Sequence, residues 1–283
     1  MHTTTDLSIA HSALADALLP VVLAAARIQM HYFRSGTAVK IKSDASPVTV
    51  ADQESEALIT AALARIAPGV PVVAEEAVAA GRLPVVDATS GREFFLVDPL
   101  DGTKEFIADR PEFTINIALV RDGVPRFGII YAPAFGMLYA TVGDAQAIEA
   151  RVQPSDKATI LSELNAVSIR TRTPAADGLI AVASRSHGMA GTDAFLGQYK
   201  VQRRTSAGSS LKFCLIAKGD ADIYPRFGPT CEWDTAAGDA ILSAAGGKVT
   251  TLDGVPLHYG KNGARFLNPD FVAWGKGPIA AQY

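Results

Sequence analysis

The chain has 283 residues, 48% of them hydrophobic and 19% charged, with a formal net charge of −3. So apolar a composition excludes a disordered chain, and the length suits one large domain or two small ones. The slight acidity argues against a basic nucleic-acid-binding face, and at first sight against an anionic substrate as well.

The first residues, Met1 to Asp6, carry no basic segment of a cleavable signal. Residues 6–34 are expected to form a helix, because Leu7, Leu14, Leu18, Val21, Val22, Ala25 and Ile28 recur at helical spacing. Asp6 can cap it, and Pro20 marks a possible kink. Its apolar run, residues 17–26, is bounded by Asp16 and Arg27. That is short of the roughly 20 residues a membrane span needs, so the run reads as a buried stripe and no transmembrane segment is expected. A polar extended stretch covers residues 40–49. A second helix starts near Asp52, places Leu58, Ile59, Leu63 and Ile66 on one side, and stops at Pro68-Gly69. Strands are expected at residues 70–74, 94–97, 113–120, 127–131 and 137–142, with Arg121-Asp122-Gly123 as a hairpin turn. Helices followed by a run of strands indicate an α+β half with an antiparallel sheet.

Beyond about Asp156 the pattern alternates: strand 179–184, helix 189–198, strand 199–203, helix 209–218, strand 222–224, helix 233–245. This is an α/β half with a mixed sheet. The polar segment 151–162 divides the chain into residues 1–158 and 159–283, with no internal repeat or low-complexity tract. Cys214 and Cys231 form neither a disulfide framework nor a C-x-x-C pair, and read as reduced thiols in a cytosolic protein.

The most informative segment runs Leu96-Val97-Asp98-Pro99-Leu100-Asp101-Gly102-Thr103-Lys104-Glu105-Phe106. A hydrophobic strand ends at Asp98, Pro99 cannot continue the ladder, Gly102 permits a tight turn, and Thr103 opens a short helix. The carboxylates of Asp98 and Asp101 and the freed Leu100 carbonyl can supply the oxygen ligands that a hard cation such as Mg²⁺ requires. The N–H groups from Gly102 onward can meet an anion. The plain alternative is a capped turn, since Asp-Pro and Asp-Gly are common turn pairs.

Other acids bear on that choice. Glu75-Glu76 ends a short apolar strand, Asp234 opens an Ala- and Gly-rich helix, and Asp52 stands at a helix start. Each alone reads as a cap or a solvated helix start. A shared divalent-metal cluster accounts for all of them together.

The pattern Asp98-Pro-Leu-Asp-Gly-Thr103, with Glu75-Glu76 upstream and Trp233-Asp-Thr-Ala-Ala-Gly238 downstream, resembles the inositol monophosphatase superfamily. The run through Lys104-Glu105-Phe106, with Gly208-Ser-Ser-Leu-Lys-Phe213 and Tyr224-Pro-Arg-Phe-Gly-Pro229, resembles more closely its branch of 3'(2'),5'-bisphosphate nucleotidases of CysQ type. The likeness runs in order from Ser46 to Pro269. It implies a layered αβαβα sandwich with the site between the halves, and a Mg²⁺-dependent, lithium-sensitive phosphatase of sulfur metabolism. Glu75, Asp98, Asp101, Asp234 and the Leu100 carbonyl would hold two or three Mg²⁺ ions. Asp52 and Thr103 would orient and activate the attacking water, with Glu75 beside them. The Gly102 and Thr103 amides would hold the phosphate, with Lys104 and Lys42 (or Lys40) nearby. Two such metals, about 3.5–4 Å apart, can clamp the attacking and leaving oxygens of an in-line displacement.

The substrate implied is a small nucleotide bisphosphate, adenosine 3',5'-bisphosphate, with the 3'-phosphate of 3'-phosphoadenylyl sulfate as a second candidate. Ser209, Ser210, Lys212 and Arg226 can meet the second phosphate, and Tyr224 or Phe227 can offer an apolar face. Ser184-Arg185-Ser186-His187 follows a strand end, where α/β folds place ligand contacts. Read singly, Ser209 and Ser210 are N-caps and Arg226 is a surface ion-pair partner. A same-fold phosphatase for inositol monophosphate or a sugar bisphosphate is the first alternative, and a non-catalytic metal-dependent binding protein the second. No P-loop, G-x-S-x-G or H-E-x-x-H motif is present, and nucleic acid is not an expected partner. The expected location is cytoplasmic, with attachment to the inner membrane face as an alternative. With Mg²⁺ bound, the field at such a site inverts, so the net charge of −3 does not oppose a small bisphosphate.

Overall fold

The structure, a computed structural model, describes residues 10–35, 39–41, 47–84, 86, 93–183, 189–261 and 266–276. Asp6, Lys42, Ser46 and the segment Ser184-Arg185-Ser186-His187 lie outside the described residues.

The chain opens with α1 (His11–Tyr32), which carries Pro20 on its exposed side, where the lost backbone bond faces solvent. A small hairpin, β1 (Val39–Ile41) and β2 (Pro47–Thr49), leads into α2 (Val50–Ile66). Next come β3 (Val72–Ala74), the one-turn helix α3 (Glu75–Ala79), β4 (Glu93–Asp101) and the short α4 (Thr103–Ile107). A meander follows: β5 (Thr114–Arg121), β6 (Val124–Ala132), β7 (Met137–Gly143) and β8 (Gln146–Arg151). Asp122 and Gly123 both take positive φ at the β5–β6 turn, as a tight hairpin requires. With β9 (Val167–Ile169) they complete a seven-stranded sheet in the order β3-β4-β5-β6-β7-β8-β9. Only the β3–β4 pair departs from the antiparallel arrangement expected of this sheet.

The second sheet uses β10 (Leu179–Ala183), then α5 (Met189–Leu196), β11 (Val201–Ser206), α6 (Leu211–Ala217), β12 (Ile223–Arg226), α7 (Ala236–Ala244), β13 (Lys248–Thr251) and β14 (Phe271–Trp274). Its order is β11-β10-β12-β14-β13, parallel at one side and antiparallel at the other, hence mixed.

Both faces of the first sheet are covered, so its strands read as continuous apolar runs. Period-2 alternation still sorts them. Phe95, Val97, Ile117, Leu119 and Ile129 pack toward α1 and α2, with Leu14, Leu18, Val22 and Ile59. Phe94, Leu96, Ala118, Val120 and Ile130 pack toward α6, α7 and the second sheet. Leu179, Ala181, Ile223 and Val272, on the other face of the second sheet, pack with Leu196 of α5. The layers are therefore α, β, α, β, α. Each fully buried Leu, Ile or Phe contributes about 1.5–3 kcal/mol to holding them.

By length and hydropathy α1 is apolar enough to cross a bilayer. In this fold its stripe, Leu14, Leu18, Leu19, Val22 and Leu23, is instead buried in the core. The middle layer needs close approach. At Gly128 of β6 an added Cβ would lie 2.3 Å from the Ala237 carbonyl oxygen, so α7 packs onto the sheet only because that side chain is absent.

Candidate active site

An irregularity in β4 starts the site. Asp98 faces Asn116 of β5 and Asp101 faces Thr114, so three steps on one strand match two on the other. In a regular strand, residues three apart point to opposite faces. The extra residue at Pro99-Leu100 brings both carboxylates to one side. Pro99, with no N–H to give a ladder, occupies this bulge, and its carbonyl accepts a 2.6 Å hydrogen bond from Gln29 Nε2 of α1. The Leu100 N–H donates to Asp98 Oδ1 at 3.0 Å. Gly102 then turns with φ 95° and lies where a Cβ would meet the Glu112 carbonyl oxygen at 3.0 Å.

Other elements bring the remaining acids. Because β3 runs parallel to β4, its end delivers Glu75 beside Asp98. The buried Glu56 of α2 holds that first turn, its Oε2 accepting the Glu76 N–H at 2.6 Å. Asp234 closes a 3₁₀ turn, Glu232–Asp234, and its Oδ2 accepts the Cys231 N–H at 2.8 Å. The fully buried Glu232 anchors this turn by accepting the N–H groups of Gly260 and Lys261. Asp52 Oδ2 accepts from the Thr49 N–H at 2.8 Å and hydroxyl at 2.6 Å, which leaves Oδ1 to the Thr103 hydroxyl at 3.1 Å. Asp52 is thus the third helical residue of a capped turn, not the cap itself.

These elements surround an open cavity of about 530 Å³. Glu75, Asp98, Leu100, Asp101 and Asp234 line it. So do Gly102, Thr103, Lys104, Ser209, Lys212 and Arg226. Asp52 and Ser210 are buried behind this surface, one against Thr103 and the other against Asp101. Glu76 faces a different surface pocket, with Glu56. Lys40 is exposed on β1.

Burial, and then the negative charges of Glu75, Asp101 and Asp234, push the Asp98 carboxyl well above the usual carboxylate range. Asp234 is pushed the same way by burial, Asp101 and Glu75. The Asp98 and Glu75 carboxyls lie within hydrogen-bonding distance of each other. Carboxylates this close ionise together only when a cation compensates them. Among the described residues no three His, Cys, Asp or Glu side chains are already closed around one point. The donors are nonetheless all oxygens, and Asp98, Asp101 and Asp234 each have one oxygen held by protein donors. That donor set suits a hard cation such as Mg²⁺. Lys212 and Arg226 supply the opposite charge. Lys212 is buried, its Nζ donates to the carbonyls of Ser209 at 2.6 Å and Ala207 at 3.3 Å, and burial lowers its pKa to about 8. Arg226 Nε is buried without a hydrogen-bond partner among the described residues.

The inositol monophosphatase family pattern matches residues 6–273. The chain belongs to the inositol monophosphatase family. Among its members, the 3'(2'),5'-bisphosphate nucleotidase CysQ of Escherichia coli K12 is 42% identical over 231 residues, covering 81% of this chain and 86% of the relative. The crystal structure of CysQ from Bacteroides thetaiotaomicron aligns with a TM-score of 0.76 at 36% identity, over 94% of this chain and 98% of that one. An inositol monophosphatase from Zymomonas mobilis aligns with a TM-score of 0.71 at 25% identity, over 95% and 94%. Membership in this metal-dependent family agrees with the all-oxygen cluster.

Sequence reading alone misses the residues behind the acids: Gln29, Glu56, Thr114, Asn116 and Asn268. Asn268 Nδ2 holds the Cys231 carbonyl at 2.8 Å and the Thr235 hydroxyl at 3.0 Å. A signal existed for two of them. Thr114 and Asn116 alternate with Ile115 and Ile117 inside an otherwise apolar strand.

Proposed function

We propose that this protein is a Mg²⁺-dependent 3'(2'),5'-bisphosphate nucleotidase that hydrolyses the 3'-phosphate of adenosine 3',5'-bisphosphate, with the 3'-phosphate of 3'-phosphoadenylyl sulfate as a further substrate. One observation carries the reading: a single cavity joins the four carboxylates and Thr103 to two buried cations, Lys212 and Arg226. A bisphosphate has one phosphate for each set. The names of the nucleotidase relatives support the same substrate class.

Glu75, Asp98, Asp101, Asp234 and the Leu100 carbonyl would hold two or three Mg²⁺ ions, which supply positive charge at the phosphate and Lewis acidity. The chain's own residues do the rest. Thr49 fixes Asp52, and Thr103 Oγ1 lies 3.1 Å from Asp52 Oδ1 and 3.2 Å from the Leu100 carbonyl oxygen; with that carbonyl given to a cation, its single proton goes to Asp52. Thr103 Oγ1 then faces the cavity as an acceptor and aims the attacking water at phosphorus, while Asp52 is placed to take up the proton passed through it. Gly102 and Thr103 offer N–H groups to the reacting phosphate, with Lys104 at the rim. Lys212 keeps an N–H beyond its two carbonyl bonds, and Arg226 keeps Nε, for the second phosphate. The Tyr224 ring, 5.3 Å from Lys212 Nζ, supplies an apolar wall. Acids from residues 1–158 and Asp234 from residues 159–283 line the same cavity, which supports reading the site as one between the two halves. With α1 packed in the core, its apolar stripe is not available as a membrane span, and the cytoplasm is the location we assign.

Phosphate release from adenosine 3',5'-bisphosphate, inositol 1-phosphate and a sugar bisphosphate, each with and without Mg²⁺, tests the reading. The highest kcat/KM is expected for the nucleotide. A preference for either other substrate transfers the assignment within the family, and no Mg²⁺-dependent release from any phosphomonoester favours a non-catalytic metal-dependent binding protein.

A further inference from the structure

We infer that Asn116 is a positioning residue: with Ser209 and Ser210 it occupies Oδ2 of Asp101, so that Oδ1 alone is presented to the cavity and its cation. The inference rests on the reading of Asp101 as a Mg²⁺ ligand and says how that ligand is held.

Asn116 is 1% exposed and does not line the cavity, so it acts only through its neighbours. Its Oδ1 accepts the Thr114 hydroxyl at 2.9 Å. Its Nδ2 donates to Ser210 Oγ at 2.9 Å and to Asp101 Oδ2 at 3.3 Å. Asp101 Oδ2 also accepts from Ser209 Oγ at 2.6 Å and Ser210 Oγ at 2.9 Å. Among the described residues no hydrogen bond reaches Asp101 Oδ1.

Ser210 Oγ lies 2.7 Å from the Asp234 carbonyl oxygen as well. A hydroxyl has a single proton, so Ser210 donates to Asp101 or to Asp234, not to both at once. The amide of Asn116 keeps the Ser210 oxygen in place in either state. It therefore links the bulge of β4 to the Asp234 turn, across the two halves. Ser209 is held in a left-handed conformation, φ 52°, which a non-glycine residue keeps only where its surroundings impose it. Its hydroxyl is in contact with Asp101 and Thr114 in that conformation. The carboxamide of Asn116 uses one acceptor and two donors at this position. An aspartate would set a second charge against Asp101, and an aliphatic side chain of the same size has no donors.

The test uses the full chain, stripped of metal with EDTA, as wild type, Asn116→Leu and Asn116→Ala. Calorimetric titration with Mg²⁺ alone should show affinity weakened about 10–100-fold in both variants, the usual effect of losing a partner behind a metal ligand. At saturating Mg²⁺, KM for the bisphosphate should stay close to wild type while kcat falls. Mg²⁺ affinity unchanged in both variants, with only the melting temperature lowered, would overturn the inference in favour of a purely structural role. Should neither variant fold, Ser210→Ala, which removes one donor to Asp101, is read in the same way. Failure of the wild type to bind Mg²⁺ overturns this inference and the metal reading together. Mg²⁺ binding without phosphate release from the bisphosphate overturns the substrate reading only.

Discussion

Asp239 of α7 gives the account a test outside the site. Its carboxylate is buried and accepts the Tyr259 hydroxyl at 3.0 Å and the Ser243 hydroxyl at 3.1 Å. Burial outweighs those bonds and pushes its pKa from the usual 3.8 up to about 7. Between these values the folded protein binds a proton that the unfolded chain does not. Stability therefore falls as pH rises through that window, and the cost is complete above about pH 7. The full gap corresponds to about 4 kcal/mol, and the part between about pH 5 and pH 8.5 to about 3 kcal/mol. Asp239→Asn removes the titration, while its amide can still pair with both hydroxyls, which accept as well as donate. Denaturant unfolding of both proteins in EDTA at about pH 5 and pH 8.5 isolates the effect, since every other titration is common to the pair. The stability of Asp239→Asn relative to wild type should rise by about 3 kcal/mol from the lower to the higher pH. A difference independent of pH would refute the claim that Asp239 is held protonated by burial.

Thr103→Val removes the acceptor that aims the water, so kcat should fall by about 10²- to 10⁴-fold with KM little changed in steady-state assays. Gly128→Ala forces a Cβ against the Ala237 carbonyl and should cost about 1–3 kcal/mol in denaturant unfolding. Because it also displaces α7 and the Asp234 turn, it should weaken Mg²⁺ binding. Lys212 carries its charge below about pH 8, where burial has brought its pKa down from 10.5. KM for the bisphosphate should therefore rise above that pH in the wild type, and be high and flat across it in Lys212→Met.

The layers were legible where periodicity is strong. α1, α2 and the strands β4 to β7 follow directly from the spacing of Leu, Val, Ile and Phe. β8, β9, β13 and β14 are short, and β8 and β9 include polar or exposed positions, so period-2 reading passes over them. Each carboxylate stands at the end of an element, where alone it reads as a cap; the cluster was legible only from the set of them and from the family resemblance. How Asp98 and Asp101 reach the same side was not legible. It depends on a bulge that exists only in the pairing of β4 with β5. Asn116 stands out as a polar residue in β5, but its partner, like that of Gln29, was hidden for the same reason. A lone amide in an apolar strand or helix acquires meaning only from the residue that tertiary packing sets beside it, here Asp101 and the Pro99 carbonyl. Sequence suggests Ser209 and Ser210 as phosphate contacts; in the structure both hydroxyls lie against Asp101, Ser209 at the cavity surface and Ser210 also beside the Asp234 carbonyl.

On the reading proposed above, this pocket hydrolyses the 3'-phosphate of a nucleotide bisphosphate with cations held by Glu75, Asp98, Asp101 and Asp234. The direct test strips the protein with EDTA, adds adenosine 3',5'-bisphosphate, titrates Mg²⁺ and identifies the product, with Asp101→Asn run in parallel. No turnover is expected without metal, release of phosphate with adenosine 5'-monophosphate as product when Mg²⁺ is restored, and almost none from a folded Asp101→Asn. Equal release with and without Mg²⁺, or full activity in Asp101→Asn, would contradict that reading.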